Sequence, residues 1–132
     1  RLDQDGVLLA NVISAPSGPG GAFFRAEYKT MARSFPTVDA YRTAPPGAVQ
    51  NIELVATKQE TDLSVAQLRD RAAERPIGYE LGDAIDRRIA SVPTADAPIL
   101  RDDDAPVDAL LDPMLGQRYV VERSPVANVT AA

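Results

Sequence analysis

The run over residues 6–14 limits the possible folds more than any other part of the sequence. It reads Gly-Val-Leu-Leu-Ala-Asn-Val-Ile-Ser, so apolar side chains occupy both alternating faces and only Asn11 interrupts them. A short apolar run that opens with glycine and closes in a Pro- and Gly-rich stretch is typical of a strand buried on both sides. Such strands belong to parallel sheets covered by helices on both faces. Because the run begins close to Arg1, at least one neighbouring strand is expected to come from elsewhere, which makes the chain part of a larger domain.

Composition and charge narrow the functional classes. The chain has 132 residues, 45% of them hydrophobic and 25% charged, as expected of one small globular domain. Nineteen acidic against fourteen basic residues give a net charge of -5, which argues against a nucleic-acid partner. Cysteine and histidine are both absent, so disulfides, thiolate zinc sites, cysteine nucleophiles and histidine-based triads are excluded within this chain.

The sequence contains no membrane or export signal that we recognise. No run approaches the roughly 20 apolar residues that a membrane span requires. The apolar run over 6–14 is too short and too strand-like for a signal peptide. We therefore predict no membrane partner and a cytoplasmic location.

The elements after the first strand follow from local patterns. The loop over 15–21 is Gly-rich, but its spacing matches neither the phosphate loop nor the dinucleotide fingerprint, so a structural loop is favoured over a phosphate site. A helix is predicted over 22–35, because Phe24, Tyr28, Met31 and Phe35 share one helical face. Alternating apolar positions over 37–43 and 49–57, separated by a Pro-Gly turn, predict an antiparallel hairpin.

Two further helices are predicted from their start signals. Ser64 and Gln67 have capping-box spacing at the start of a helix over 61–75. A helix over 83–91 would have Asp83 as its N-cap, with Ile85 and Ile89 buried.

The C-terminal region holds a cluster of carboxylates within Arg101-Asp102-Asp103-Asp104-Ala105-Pro106-Val107-Asp108. Such a cluster could bind a hard cation such as Mg²⁺. Alternatively, Asp103 or Asp104 caps a short helix at 105–111 that carries Pro106 in its first turn. Capping is favoured, because the stretch lacks a glycine-bent loop and a later bidentate Glu, and no metal ligand is assigned.

The order strand, helix, strand, antiparallel strand, followed by short helices, resembles the C-terminal half of the class I methyltransferase-type Rossmann fold, an α/β architecture. Within that superfold the chain is similar to the spermidine synthase-like (aminopropyltransferase) family. The resemblance rests on three stretches, of which the last is the most specific: residues 5–13, 51–56 and 99–111. We accordingly divide the chain into a Rossmann-like part over 1–93, a C-terminal motif over 94–123 that packs on the same domain, and a flexible tail over 124–132.

The resemblance implies aminopropyl transfer from decarboxylated S-adenosylmethionine to a small-molecule amine. In that family the donor site and the catalytic aspartates precede the part represented here, so no catalytic residue is assigned in this chain. Decarboxylated S-adenosylmethionine, or S-adenosylmethionine itself, would be bound mainly by residues outside it. The chain would then form a homo-oligomer or pair with a missing N-terminal half.

Five residues are predicted to contact the substrate. In open α/β sheets the ligand crevice lies beyond the carboxyl ends of the parallel strands, where Asn11 and Ser14 are expected. Asn51 lies on the closing strand, and Asp102 and Asp108 lie in the acidic motif.

Two departures from the family pattern keep other functions open. The turn at 44–47 lacks the aromatic residue that encloses the amine, and Asp104 stands where the motif has Tyr. The alternatives are a non-catalytic methyltransferase-like scaffold for assembly and an S-adenosylmethionine-dependent methyltransferase.

Overall fold

A computed structural model describes residues 2–75 and 77–122. The three strands are β1 (Val7–Ser14), β2 (Thr37–Arg42) and β3 (Gln50–Thr57). The four α-helices are α1 (Ala22–Ala32), α2 (Val65–Glu74), α3 (Gly82–Asp86) and α4 (Val107–Leu111), with 3-10 turns at Pro19–Gly21 and Asp112–Met114. The chain is therefore a mixed α/β protein with the predicted order of strand, helix, strand, strand. The predicted tail over 124–132 lies outside the described residues.

The strands form one sheet in the order β1-β3-β2. β3 lies in the middle and is antiparallel to both neighbours, so β1 and β2 run in the same direction without being adjacent. The predicted hairpin of β2 and β3 is confirmed. The parallel neighbour expected for β1 is not found among the described residues, where its hydrogen-bonded partner is the antiparallel strand β3.

One face of the sheet, here called the core face, carries the hydrophobic core. Val12, Ala40, Ile52 and Leu54 contribute from the three strands, and Phe24 of α1 packs against them with no exposed surface. Burial in β3 alternates strictly with sequence position, as expected for a strand with one covered face. The predicted apolar face of α1 is confirmed for Phe24, Tyr28 and Met31, which share this cluster. The helix ends at Ala32, before the predicted end at 35, so Phe35 does not belong to that face.

The opposite face, here called the open face, corrects the prediction that β1 is buried on both sides. Val7, Leu9 and Ile13 point to this face and are 52%, 69% and 52% exposed. Within the described residues α1 covers the core face of β1, and no helix covers these three side chains to a comparable extent. An apolar run indicates that both faces of a strand favour burial. It does not indicate whether the residues that pack on each face belong to the same chain.

The predicted helix over 83–91 is only partly correct. α3 ends at Asp86, and Leu81, not Asp83, is its N-cap residue. The chain then runs beside the outer edge of β2, where Ile89 N donates to Ala40 O at 2.8 Å and Arg42 N donates to Arg87 O at 3.1 Å. This segment satisfies backbone groups of β2 that would otherwise stay unpaired, which is the physical reason that the helix stops early.

The start signals of the other two helices had different outcomes. The capping box of α2 is confirmed: Gln67 N donates to Ser64 Oγ at 3.2 Å and Ser64 N donates to Gln67 Oε1 at 2.9 Å. The predicted capping of α4 by Asp103 or Asp104 is wrong. Pro106 is its N-cap residue, and the backbones of Arg101 and Asp104 bond to each other in a tight turn instead.

Candidate functional site

Ser14, at the carboxyl end of β1, is fully buried. Its hydroxyl donates to Gly20 O in the preceding 3-10 turn at 3.0 Å and accepts from Phe24 N in the first turn of α1 at 3.3 Å. Both hydrogen-bonding functions of the hydroxyl are thus used to start the helix. This placement corrects the expectation that Ser14 lines a substrate pocket, because the side chain lies beneath the helix.

The loop over 15–21 folds back on β1 and leaves little room for a ligand. Ala15 N donates to Gly20 O at 3.1 Å, and a Cβ atom at Gly20 would lie 3.1 Å from Gln117 Nε2. The C-terminal segment also reaches this end of the sheet, since Val120 N donates to Val49 O at 2.8 Å. The carboxyl end of β1, where the sequence predicted a crevice, is therefore covered by the chain itself.

Gln50, the first residue of β3, fills the interior at the same end of the sheet with its side chain. Its buried side-chain oxygen accepts from Thr43 N at 3.0 Å and Ala44 N at 2.7 Å. Its nitrogen donates to Pro45 O at 2.8 Å and Ala48 O at 3.2 Å. The amide thus organises the whole turn between β2 and β3, a role that the sequence pattern did not reveal.

Asn11 and Asn51 lie on the open face. The register pairs Asn11 with Glu53 and Ile13 with Asn51, which places all four side chains on that face. Asn11 Nδ2 donates to Glu53 Oε1 at 3.0 Å, and Asn51 is only partly exposed. Two of the five predicted site residues are therefore near neighbours, but on the face opposite the core-face side chain of Ser14.

Asp102 and Asp108 both lie on the exposed surface of the C-terminal segment. Within the described part of the chain, neither carboxylate has a hydrogen-bond partner or an ion-pair partner. The structure does not connect either residue to Asn11, Ser14 or Asn51 through hydrogen bonds. The predicted set therefore does not form one site.

A polar cluster that the sequence did not predict lies at the outer edge of β2. Asp39 Oδ1 is 2.6 Å from Arg88 Nη2, and Tyr28 Oη donates to Val38 O at 3.1 Å. Burial, and secondly the charge of Asp39, raise the pKa of Tyr28 and of Tyr41, while the charge of Arg88 acts in the opposite direction. An open cleft of about 380 Å³ adjoins the cluster, with Thr37, Glu60, Asp62 and Ser91 among its lining residues.

The sequence pattern alone gives little indication that Asp39 and Arg88 lie together. Arg88 was assigned to a helix, and its approach to Asp39 depends on the extended segment that replaces the end of that helix. Both charged groups already have partners, so neither is left to bind a ligand. The ion pair instead holds the 87–89 segment on the sheet.

A second open cleft, of about 510 Å³, lies between α2 and α3. Its lining includes Ala72, Tyr79, Leu81 and Ile85. Arg69 also borders it and forms an exposed ion pair with Asp86. The hydrogen bond from Arg69 lowers the pKa of Asp86, and the same bond raises the pKa of Arg69.

The described residues hold no group of three or more His, Cys, Asp or Glu side chains that could bind a metal ion. Of the helices described, the longest has 11 residues, and none is long and apolar enough to cross a membrane. No protein-family model, curated protein or solved structure matches the chain.

Proposed function

We propose that the chain is the C-terminal part of a spermidine synthase-like transferase. The observation that carries the proposal is the arrangement of the sheet: β1 and β2 run in the same direction, α1 connects them, and β3 is antiparallel to both. This is the relation between strands that the resemblance implies. Within residues 2–75 and 77–122, β1 has no strand partner on its outer edge, which is the edge that a half-domain would leave.

The proposed chemistry is aminopropyl transfer. The amine nitrogen attacks the methylene carbon next to the sulfonium of decarboxylated S-adenosylmethionine, the carbon-sulfur bond breaks, and a neutral thioether leaves while the amine gives up a proton to a base. The described residues do not fit the donor at the end of β1, because Ser14 and the loop over 15–21 fill that end. Donor site and catalytic base are therefore proposed to lie outside this chain.

The contribution of this half would be electrostatic. A net charge of -5 favours the approach of a cationic amine. Asp102 and Asp108 are the exposed carboxylates in the stretch that carries the most specific part of the resemblance. We propose that they attract or hold the remote ammonium group of the acceptor.

The experiment uses the intact protein with whatever sequence precedes Arg1. Purified protein is incubated with a diamine such as putrescine and, in separate reactions, with decarboxylated S-adenosylmethionine or S-adenosylmethionine. Formation of the aminopropylated amine from the decarboxylated donor supports the proposal. Methyl transfer from S-adenosylmethionine would replace it with the methyltransferase alternative.

Variants then test the two carboxylates. We expect Asp102→Asn and Asp108→Asn to raise KM for the amine at low salt without lowering the melting temperature, because neither carboxylate has a partner among the described residues. Asp112→Asn is a matched control on the same segment. A lowered melting temperature with unchanged amine binding would assign Asp102 and Asp108 a structural role alone.

A non-catalytic assembly module is the second candidate. Two observations favour it: the predicted site residues do not converge, and β1 exposes a row of apolar side chains on the open face. Absence of transfer with either donor, together with stable association through β1, would support this candidate.

A further inference from the structure

The cleft between α2 and α3, here called the helix cleft, has a largely apolar lining and a volume of about 510 Å³. Ala72 and Ala73 line it from α2, and Leu81 and Ile85 line it at α3. Tyr79, also in the lining, is 64% exposed. Because the side chains contributed by α2 are small, the backbone of another segment can approach that helix closely.

α2 requires more packing than the described residues give it. It has ten residues, and isolated helices shorter than about 12–15 residues are marginal in water. All ten are described, and none of them is buried. Of the described elements, α3 is the one that α2 contacts most. A further apolar segment in the helix cleft would therefore stabilise α2.

The described part of the chain ends beside α3. Glu122 Oε2 is 2.7 Å from Arg87 Nη2, and Arg87 directly follows α3. α3 has five residues and is thus about 7.5 Å long. An extended chain covers about 3.5 Å per residue, so four residues beyond Glu122 can span about 14 Å, more than the length of α3.

We propose that residues 123–132 of this chain, Arg-Ser-Pro-Val-Ala-Asn-Val-Thr-Ala-Ala, occupy the helix cleft. Their apolar side chains are small enough to pack against a lining that includes two alanines. Charge also favours this occupant, because residues 61–86 carry six acidic and three basic side chains, whereas Arg123 is the one charged side chain of the segment. The apolar positions of the segment are Val126, Ala127, Val129, Ala131 and Ala132.

Covalent connection favours this segment over a separate partner. A short linker gives a tethered segment an effective concentration on the order of mM, so an intrinsic Kd of about 0.1 mM is enough to keep it docked at about ten to one. The docking does not depend on transferase activity, which the transfer assay tests separately.

Thiol labelling tests the docking, helped by the absence of native cysteine from this chain. Ala72→Cys is introduced into the intact protein and into a form that stops after Glu122, and maleimide labelling at that position is followed by mass spectrometry. We expect labelling about tenfold faster in the shortened form, because the segment no longer covers the cleft. Ala66→Cys is the matched control, because Ala66 is an exposed residue of α2 outside the lining and should react equally fast in both forms. A synthetic peptide with the sequence of residues 123–132 should slow labelling at position 72 in the shortened form only at mM concentration.

A point variant tests the same contact without shortening the chain. Val126→Lys, made together with Ala72→Cys, should raise the labelling rate towards that of the shortened form, because lysine is costly to bury in an apolar cleft. Thr130→Lys is the control at a polar position of the segment and should leave the rate low. Fast labelling at position 72 in the unshortened protein would show an open cleft and overturn the proposal. Equally slow labelling in both forms would show that another part of the protein covers the cleft, which overturns it as well.

Discussion

The carboxylate of Asp39 lies 2.6 Å from the guanidinium of Arg88, and both side chains are only about one fifth exposed, at 22% and 21%. Arg88 also donates to Leu63 O, so one guanidinium joins β2 to the connection that precedes α2. Together with the backbone bonds of Ile89 and Arg87, this pair holds the 87–89 segment against the sheet.

Removing Arg88 should destabilise the protein. Arg88→Ala leaves Asp39 partly buried and unpaired, and we expect a loss of about 2 kcal/mol in the free energy of unfolding. Urea denaturation measures it. Arg69→Ala is the matched control, because its ion pair with Asp86 is on the surface with side chains 51% and 46% exposed. The control should change stability much less. Equal losses would show that the 87–89 segment does not depend on the pair.

Stability should fall at alkaline pH because of Tyr28 and Tyr41. Burial and then the charge of Asp39 raise the pKa of both phenols above the usual value of about 10, so folding favours the neutral form. This contribution is fully present below the pKa of the unfolded chain and is lost as pH rises through the higher pKa of the folded state. Phenolate absorbance measures the titration, with Tyr28→Phe and Tyr41→Phe to assign it. Asp39→Asn should lower both pKa values, and unchanged titration in that variant would contradict the electrostatic part of this explanation.

Gln50 should contribute more to the stability of the fold than its sequence context suggests. Gln50→Leu removes the acceptor of two backbone N–H groups in the turn, Thr43 N and Ala44 N, and we expect a loss of about 3 kcal/mol in unfolding free energy. Thermal and urea denaturation would detect it. The same substitution at exposed Gln4 should be nearly neutral. A neutral Gln50→Leu would mean that the turn keeps its shape without the amide.

Ser14 should behave as a structural residue. Its buried hydroxyl accepts from Phe24 N at the start of α1, so Ser14→Ala should cost about 1 kcal/mol in unfolding free energy through the lost hydrogen bond. Exposed Ser17 supplies the control, for which Ser17→Ala should have little effect. In the intact protein, Ser14→Ala should leave amine binding unchanged at temperatures where the variant is folded. Weakened binding in a fully folded variant would restore Ser14 to the substrate site.

Local signals explain which predictions succeeded. The apolar face of α1, the alternation in β2 and β3, and the Ser64–Gln67 capping box each depend on residues within a few positions of one another. Predictions that required distant partners were less successful. The helix expected over 83–91 gave way to an extended segment, because β2 offers it backbone partners more than forty positions earlier in the chain, Ala40 O and Arg42 N. The position of Ser14 also depends on the tertiary structure: its hydroxyl bonds to Gly20 O and Phe24 N, which the sequence does not place above it.

The sequence by itself determined that this chain forms a small α/β unit with a helix between its first two strands and a hairpin after it, because hydrophobic periodicity and turn residues act locally. Only the tertiary structure decided which faces are covered. β1 reads as buried on both sides, yet α1 covers one side and Leu9 on the other is 69% exposed. Burial is a property of what packs against a strand, and the residues of β1 do not specify that partner.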